Sequence, residues 1–357
     1  MSRRRFVFPA AAVCRLGVQQ MDTAKWNCRG TQRTGQERKK VFVIGCGRWG
    51  TFIAWYLRQI GHCVTLYGRP DSKNMRALQA AGRNEYLTLD GDIALTTALD
   101  GIGDSDVVVI SVNSQGLQGL MDELRPWELK NKKIVLCMKG IEISTGRRLS
   151  QVVEESTDAS NRTAVWLGPG HVEDFCRGIP NCMVIDSRDL SLKKELVESF
   201  SSELIRFYYG TDLIGNEIGA AAKNVMGIAA GMLDGLSIGA LKGPLMARGP
   251  REVARLIRAM GGSELTAYGL CHLGDYEATL FSPHSHNRMF GESFIRGLPY
   301  DKLAEGCHTV KAMTALGEKY GVELPICSAV YSILYCGQSA TEVLNRLFSR
   351  ELTAEFC

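Results

Sequence analysis

Twelve cysteines occur in this chain, yet no two of them are spaced C-x-x-C. That absence removes the zinc-ribbon and thioredoxin-like readings. Their scatter through apolar stretches of a long chain points to free thiols in a reducing compartment rather than to a disulfide framework. No apolar run is long enough to cross a bilayer, because Asp234 interrupts the most apolar helical region. Tandem repeats and low-complexity segments are lacking too, which excludes solenoids and biased tails. Charge of one sign is scarce: 42 Lys and Arg face 38 Asp and Glu, a net of +4, too little to argue for a nucleic-acid partner. What is present is an ordinary globular mixture, 45% hydrophobic and 22% charged over 357 residues, enough for a large core and roughly two domains.

The charge is unevenly placed. Residues 1–40 hold ten Lys or Arg against two Asp or Glu, so the remainder has four more acidic than basic residues. Residues 1–39 lack hydrophobic periodicity and read as a basic, flexible N-terminal arm. Arginine-rich and acid-poor, it suits a transit peptide, which would place the protein in an organelle. A start of translation at Met21 is the other reading and leaves the protein in the cytoplasm. A secretory signal fits poorly, since Pro9 breaks the short apolar run and no small-residue cleavage site follows. Nucleic-acid binding by the arm is weak as an idea, with Trp26 its one aromatic after Phe8 and no folded context.

From residue 40 the texture changes. Short apolar strands are expected at 41–44, 63–67, 106–112, 134–138, 164–167, 182–186 and 205–208. They alternate with helical segments, the first at 51–60. This alternation specifies a parallel sheet covered on both faces. Beyond about residue 210 the pattern is helical, with helices expected at 216–236, 250–260, 293–302, 309–320 and 328–338. The fold class is therefore α/β: an N-terminal Rossmann-type parallel-sheet domain over 40–210 and a C-terminal all-helical domain over 211–357, with the active site in the cleft between them.

Gly45-Cys46-Gly47-Arg48-Trp49-Gly50 matches G-x-G-x-x-G and stands where the motif has meaning, after a strand and at the start of a helix. The first glycine permits the tight turn, the second admits a pyrophosphate, and the third lets helix and strand pack closely. The helix N-terminus attracts the anion. A nicotinamide dinucleotide is the expected cofactor. At the end of the second strand no carboxylate precedes Asp71 to hold a ribose 2′-hydroxyl. Arg69 stands there instead and favours a 2′-phosphate, hence NADP over NAD.

Several further segments keep their order and spacing from about residue 40 to 335. They include Trp49 within the glycine-rich turn, Arg83-Asn84-Glu85-Tyr86-Leu87, Lys139-Gly140 and Gly168-Pro169. Glu217-Ile218-Gly219-Ala220-Ala221-Ala222-Lys223-Asn224-Val225, Gly274-Asp275, Asn287-Arg288-Met289-Phe290-Gly291, Glu305-Gly306 and 320–326 follow. On these the sequence resembles the NAD(P)-dependent glycerol-3-phosphate dehydrogenases of bacterial type. The resemblance implies interconversion of dihydroxyacetone phosphate and sn-glycerol 3-phosphate by hydride transfer with NAD(P)H, feeding phospholipid synthesis. It implies Lys223 as acid/base, Lys139 as a second cation beside the carbonyl, and Asp275 as the group that orients Lys223 or holds a substrate hydroxyl. Gly45, Gly47, Arg48, Trp49, Gly50, Arg69, Val172 and Glu305 would hold the cofactor. Lys139, Gly168, Gly170, Asp275, Ser285, His286 and Asn287 would hold a phosphorylated small molecule. A homodimer is the expected assembly.

The residues themselves support part of this. A lysine inside a strongly apolar helix needs a partner, a pocket or a route to water, and partial burial brings its pKa toward neutrality. Departures from the family pattern are Asn113 in place of Pro, Gly170 and Val172 in place of Ser and Ala, and Ser285-His286-Asn287 in place of Ser-Arg-Asn. The imidazole of His286 would partly replace the missing guanidinium, with substrate affinity weakening as pH rises. Two alternatives follow from that change: a related dehydrogenase for another hydroxy compound, and a catalytically silent NAD(P) sensor. His284-x-His286 with His272 and Asp275 also invites a metal site, but no Cys or Glu completes a ligand set, so no metal is expected.

Overall fold

The computed structural model describes residues 37–89, 91–352 and 354–355. The basic arm expected over 1–39 lies outside these, save for its last three residues. Of those, Lys39 is buried and pairs with Glu195 at 2.5 Å, so it belongs to the folded body.

Eight strands form one sheet: β1 (Lys40–Ile44), β2 (Cys63–Tyr67), β3 (Ala94–Thr96), β4 (Val107–Ile110), β5 (Lys133–Leu136), β6 (Arg162–Leu167), β7 (Asn181–Asp186) and β8 (Ile205–Tyr209). Their order is β3-β2-β1-β4-β5-β6-β7-β8. All neighbours run parallel except β6 and β7, which are antiparallel, so the sheet is mixed where a wholly parallel one was expected. The order reverses at β1, whose neighbours are β2 on one side and β4 on the other, and ligands bind at such a switch point. Strand β3 was not foreseen. It is three residues long at the sheet edge, too short for periodicity to register.

Six helices accompany the strands: α1 (Arg48–Gln59), α2 (Lys73–Ala81), α3 (Leu117–Leu124), α4 (Leu149–Ser156), α5 (Val172–Cys176) and α6 (Leu190–Phe200). One face of the sheet buries an aromatic-rich core that includes Phe52, Tyr56, Trp166, Phe175 and Phe200. The other face buries Ile44, Ile110, Leu120, Leu136 and Val152. Each such side chain, fully removed from water, contributes about 1.5–3 kcal/mol.

The remainder is helical: α7 (Leu213–Gly235), α8 (Lys242–Ala259), α9 (His286–Ile295), α10 (Gly306–Tyr320), α11 (Pro325–Tyr335) and α12 (Ala340–Phe348). Helix α7 is buried on nearly every side, as its apolar, small-residue sequence requires. Helix α8 carries Pro250 in its interior, whereas the sequence suggested a start there. Burial of Leu245, Val253, Leu256 and Ile257 along one face outweighs the one backbone bond the proline omits. Helix α9 starts seven residues earlier than its expected start. The Ser285 hydroxyl caps it by accepting from the Arg288 N–H, and Gly297, with φ 65°, follows its end. Helices α7 and α9 meet backbone to backbone. A Cβ added to Gly231 would lie 1.9 Å from the Arg288 carbonyl, and one on Gly291 would lie 2.2 Å from that of Ile228.

Two buried networks fasten the start of α7 to the sheet half. The Asp186 carboxylate, at the end of β7, accepts from the Asp212 N–H at 3.0 Å, Asn216 Nδ2 at 2.8 Å and Lys193 Nζ at 3.0 Å. Glu217 accepts from Ser150 N–H and Oγ at 2.9 and 2.7 Å and pairs with Arg148. Among the described residues no helix is long and apolar enough to cross a membrane.

Candidate active site

A cleft of about 690 Å³ opens at the switch point, between the carboxyl ends of β1, β4 and β5 and the helices α7 and α9. The glycine-rich turn forms one wall. Its glycines differ in what they meet. A Cβ on Gly45 would stand 2.2 Å from the Ser111 carbonyl, and one on Gly50 would stand 1.9 Å from that of Gly45. A Cβ on Gly47 would meet nothing within 4 Å, because it would project into open space. Gly45 and Gly50 therefore serve the fold, and Gly47 leaves room for a ligand. Helix α1 begins here with no side-chain cap and no acidic residue in its first turn, so its N–H groups remain available to an anion. Both features fit a dinucleotide pyrophosphate. Trp49 lines the wall and packs on Phe52 and Phe175, with Val172 and Gly170 beside it. Arg69 also lines the cleft, but it is exposed and pairs with Glu123 of α3 at 2.6 Å.

The opposite wall holds the chemistry. Asp275 is 1% exposed, and its Oδ2 accepts from Lys139 Nζ at 2.6 Å and from Lys223 Nζ at 2.9 Å. Lys139 also donates to the Gly168 carbonyl at 2.7 Å. Gly168 is thus a support for Lys139 and does not itself line the cleft. Lys223 projects from the third turn of α7. Burial brings its pKa down to about 8, with Asp275 opposing and Lys139 assisting. Glu305, expected only as a cofactor contact, lies close enough for both lysines to act on it. Burial raises its carboxyl to about 7 against the Ser114 N–H and the two ammonium groups.

Ser285, His286 and Asn287 line the rim at the start of α9. Asn287 donates to Asn224 Oδ1 at 3.1 Å and accepts from the Gly306 N–H at 2.9 Å, tying α7, α9 and α10 together. Burial holds the His286 pKa down, helped by Arg48 and Lys302, so in the free protein it is neutral at pH 7 rather than a standing replacement for a guanidinium. Arg288 does not swing in; it bonds to Asp234 at 2.8 Å, Glu292 at 3.0 Å and the Ser282 carbonyl at 3.1 Å. His272 turns from the other imidazoles toward the Gly219 carbonyl and the Tyr276 hydroxyl, each at 2.8 Å. Among the described residues no group of His, Cys, Asp and Glu is arranged to hold a metal ion.

Sequence reasoning assigned no role to three polar residues here. Thr279 accepts from Lys223 Nζ at 2.9 Å and donates to the Asp275 carbonyl at 2.6 Å. Its spacing of four from Asp275 was the available signal. Asn224 donates to the Lys139 carbonyl at 3.0 Å, and its place beside Lys223 pointed inward. His171 lines the cleft next to Gly170 and gave no signal beyond adjacency.

One wall receives phosphates, and the other offers an ammonium group poised near neutrality beside a carboxylate. Such a cleft moves a hydride and a proton between a dinucleotide and a small alcohol or ketone, which is the work of the dinucleotide-dependent dehydrogenases. The family is narrower than that. Residues 40–193 match the model of the NAD-dependent glycerol-3-phosphate dehydrogenase N-terminus, and residues 212–345 match that of its C-terminus. The chain belongs to this family and so to the NAD(P)-dependent oxidoreductases. It is 34% identical over 323 residues to the glycerol-3-phosphate dehydrogenase [NAD(P)+] of a Thermoanaerobacter species, covering 87% of this chain and 97% of that one. Its identity to the Bradyrhizobium enzyme of the same name is 36% over 321 residues, or 88% and 98% of the two chains. The crystal structure of glycerol-3-phosphate dehydrogenase from Coxiella burnetii superposes with a TM-score of 0.82 at 26% identity, covering 88% of this chain and 99% of that one.

Proposed function

We propose that this protein interconverts dihydroxyacetone phosphate and sn-glycerol 3-phosphate, and that residues 40–210 and 211–357 act as cofactor-binding and catalytic units. The observation that carries the reading is the buried Lys139–Asp275–Lys223 cluster facing the glycine-rich turn across one cleft. When bound, the reduced dinucleotide supplies the hydride for C2 of the ketone. Negative charge then develops on the carbonyl oxygen, and two ammonium groups stand ready to meet it. Lys223, with a pKa of about 8, is protonated at neutral pH and gives its proton to that oxygen. Its neutral amine regains a proton from solvent, or serves as the base in the reverse direction. Lys139 stabilises the oxygen as charge builds. Asp275 holds both nitrogens in place, and Thr279 fixes the remaining direction of Lys223. Ser285, His286 and Asn287 line the same cleft and would bind the phosphate.

Gly47, Arg48, Trp49, Val172 and Glu305 would hold the cofactor, with Gly45 and Gly50 shaping the turn beneath it, and Arg69 would favour NADP once released from Glu123. The bacterial relatives and the nine unpaired cysteines among the described residues support a cytoplasmic setting. The test is dihydroxyacetone phosphate-dependent oxidation of NADPH and NADH by the purified chain. Turnover with either supports the reaction. Binding of cofactor without turnover would sink it, and turnover only with an unphosphorylated analogue would transfer the reading to a related dehydrogenase.

A further inference from the structure

We infer that His171 and His286, with His284 beside them, form a clamp for a phosphate group in which the two imidazoles accept protons, so that a phosphorylated ligand enters the cleft with uptake of a proton from solvent. The inference rests on the dehydrogenase reading only for the ligand's identity. All three imidazoles line the same cleft. The rings of His171 and His284 stand 6.0 Å apart, centroid to centroid, at 70°. Two buried side-chain nitrogens in the cleft have no hydrogen-bond partner, Nε2 of His171 and Nε of Arg48. On the floor, by contrast, Lys139 and Lys223 are already committed to Asp275. The unpartnered polar atoms therefore gather on this side of the cleft, where an oxyanion would satisfy them.

The charges around two of the rings explain why His171 and His286 are neutral when the cleft is empty. His171 is held neutral by burial and then by Arg48, against Asp174, Asp275 and Glu173. His286 is held neutral by burial, Arg48 and Lys302, against the Leu303 backbone and Glu173. Glu173 pairs with Arg48 and also feels His284, so it acts as the counter-ion of the empty site. A phosphate dianion reverses the balance. It brings two negative charges against rings that can each take one proton, and it offers Arg48 an alternative to Glu173. No heavy-atom bond changes. His171 or His286 gains a proton from water or buffer, and the oxyanion accepts the new N–H. Two phosphate sources share this chemistry, the triose phosphate and the dinucleotide pyrophosphate.

Calorimetric titration of the full chain at pH 7, in two buffers of different ionisation enthalpy, separates them. One arm adds NADH alone, which carries the pyrophosphate and no 2′-phosphate, and the second adds sn-glycerol 3-phosphate to cofactor-saturated protein. Uptake of roughly one proton is expected in the second arm. His171→Asn and His286→Asn should each reduce the uptake and raise the dissociation constant about tenfold at pH 6 but less than twofold at pH 9, a pH signature that a packing role would not produce. His286→Arg should restore affinity while removing its share of the uptake. Uptake confined to the first arm supports the clamp with the pyrophosphate as its ligand. No uptake in either arm, or uptake untouched by both asparagine variants, overturns it. Turnover without uptake sinks the clamp alone. Uptake without turnover of dihydroxyacetone phosphate sinks the reaction alone.

Discussion

The floor and the rim of the cleft are built on opposite plans. On the floor the ammonium groups are already paired: one carboxylate serves both lysines, a threonine and a backbone carbonyl take further bonds from them, and Asp275 and Lys223 are buried while Lys139 is 19% exposed. On the rim, donors are left open, imidazoles are held neutral, and an arginine is parked on a half-exposed glutamate. In the proposed reaction the floor would stabilise charge that appears only during reaction, so its dipoles must be fixed beforehand. The rim would receive charge that arrives with the ligand, so it can wait. Preorganisation is thus spent where the transition state differs from the ground state.

The sharpest way to break this contrast is at the floor. Lys223→Met should lower kcat by about 10²–10⁴-fold while the dinucleotide still binds, measured by steady-state rates beside fluorescence titration. A loss of cofactor binding of the same size would erase the division between floor and rim. Next in size is the fastening of α7. Arg148→Met strands the buried Glu217 carboxylate and should cost about 3–5 kcal/mol, read from the urea midpoint. The glycine-rich turn supplies an internal pair. Gly50→Ala should destabilise the fold by about 1–3 kcal/mol, because its Cβ meets backbone. Gly47→Ala should leave the melting temperature unchanged and weaken NAD(P)H binding about tenfold or more, because its Cβ enters the ligand's space.

The pH dependence comes next. Ketone reduction needs the Lys223 ammonium, so its kcat should fall as pH rises through about 8, while alcohol oxidation should rise over the same range. Profiles that move together would remove Lys223 as the titrating group. The smallest effect concerns cofactor choice. Glu123→Gln frees Arg69 from an exposed ion pair and should raise the NADPH to NADH ratio of kcat/KM about two- to fivefold.

The sequence made the skeleton of this site readable wherever local pattern carries the information. The G-x-G-x-x-G turn, the lysine in an apolar helix and the order of seven strands all rest on spacing within a few residues. What escaped rests on contacts between distant segments. Nothing near β7 records that it runs against β6, since the connection through α5 allows either direction. The helix cap at Ser285 escaped because it is recognised only once Arg288 turns back onto it. Arg69 appeared free, for its partner Glu123 is 54 residues away. His286 appeared able to stand in for a cation, and only the arrangement of Arg48 and Lys302 around it shows that it is neutral when the cleft is empty.

The close crossing of α7 and α9 has a consequence for what the cleft can measure. Gly231 and Gly291 put carbonyls and Cα atoms in direct contact, with no side chain between to compress or rotate. Helix α7 carries Lys223 and helix α9 carries the rim residues from Ser285 to Asn287. In the proposed reaction, the spacing between the helix that carries the acid and the helix that carries the phosphate handle would therefore be set by backbone, as in a caliper with its jaws pinned. A ligand one methylene longer or shorter than a triose would then have to be met by side chains alone, since the helices that carry them have no room to close.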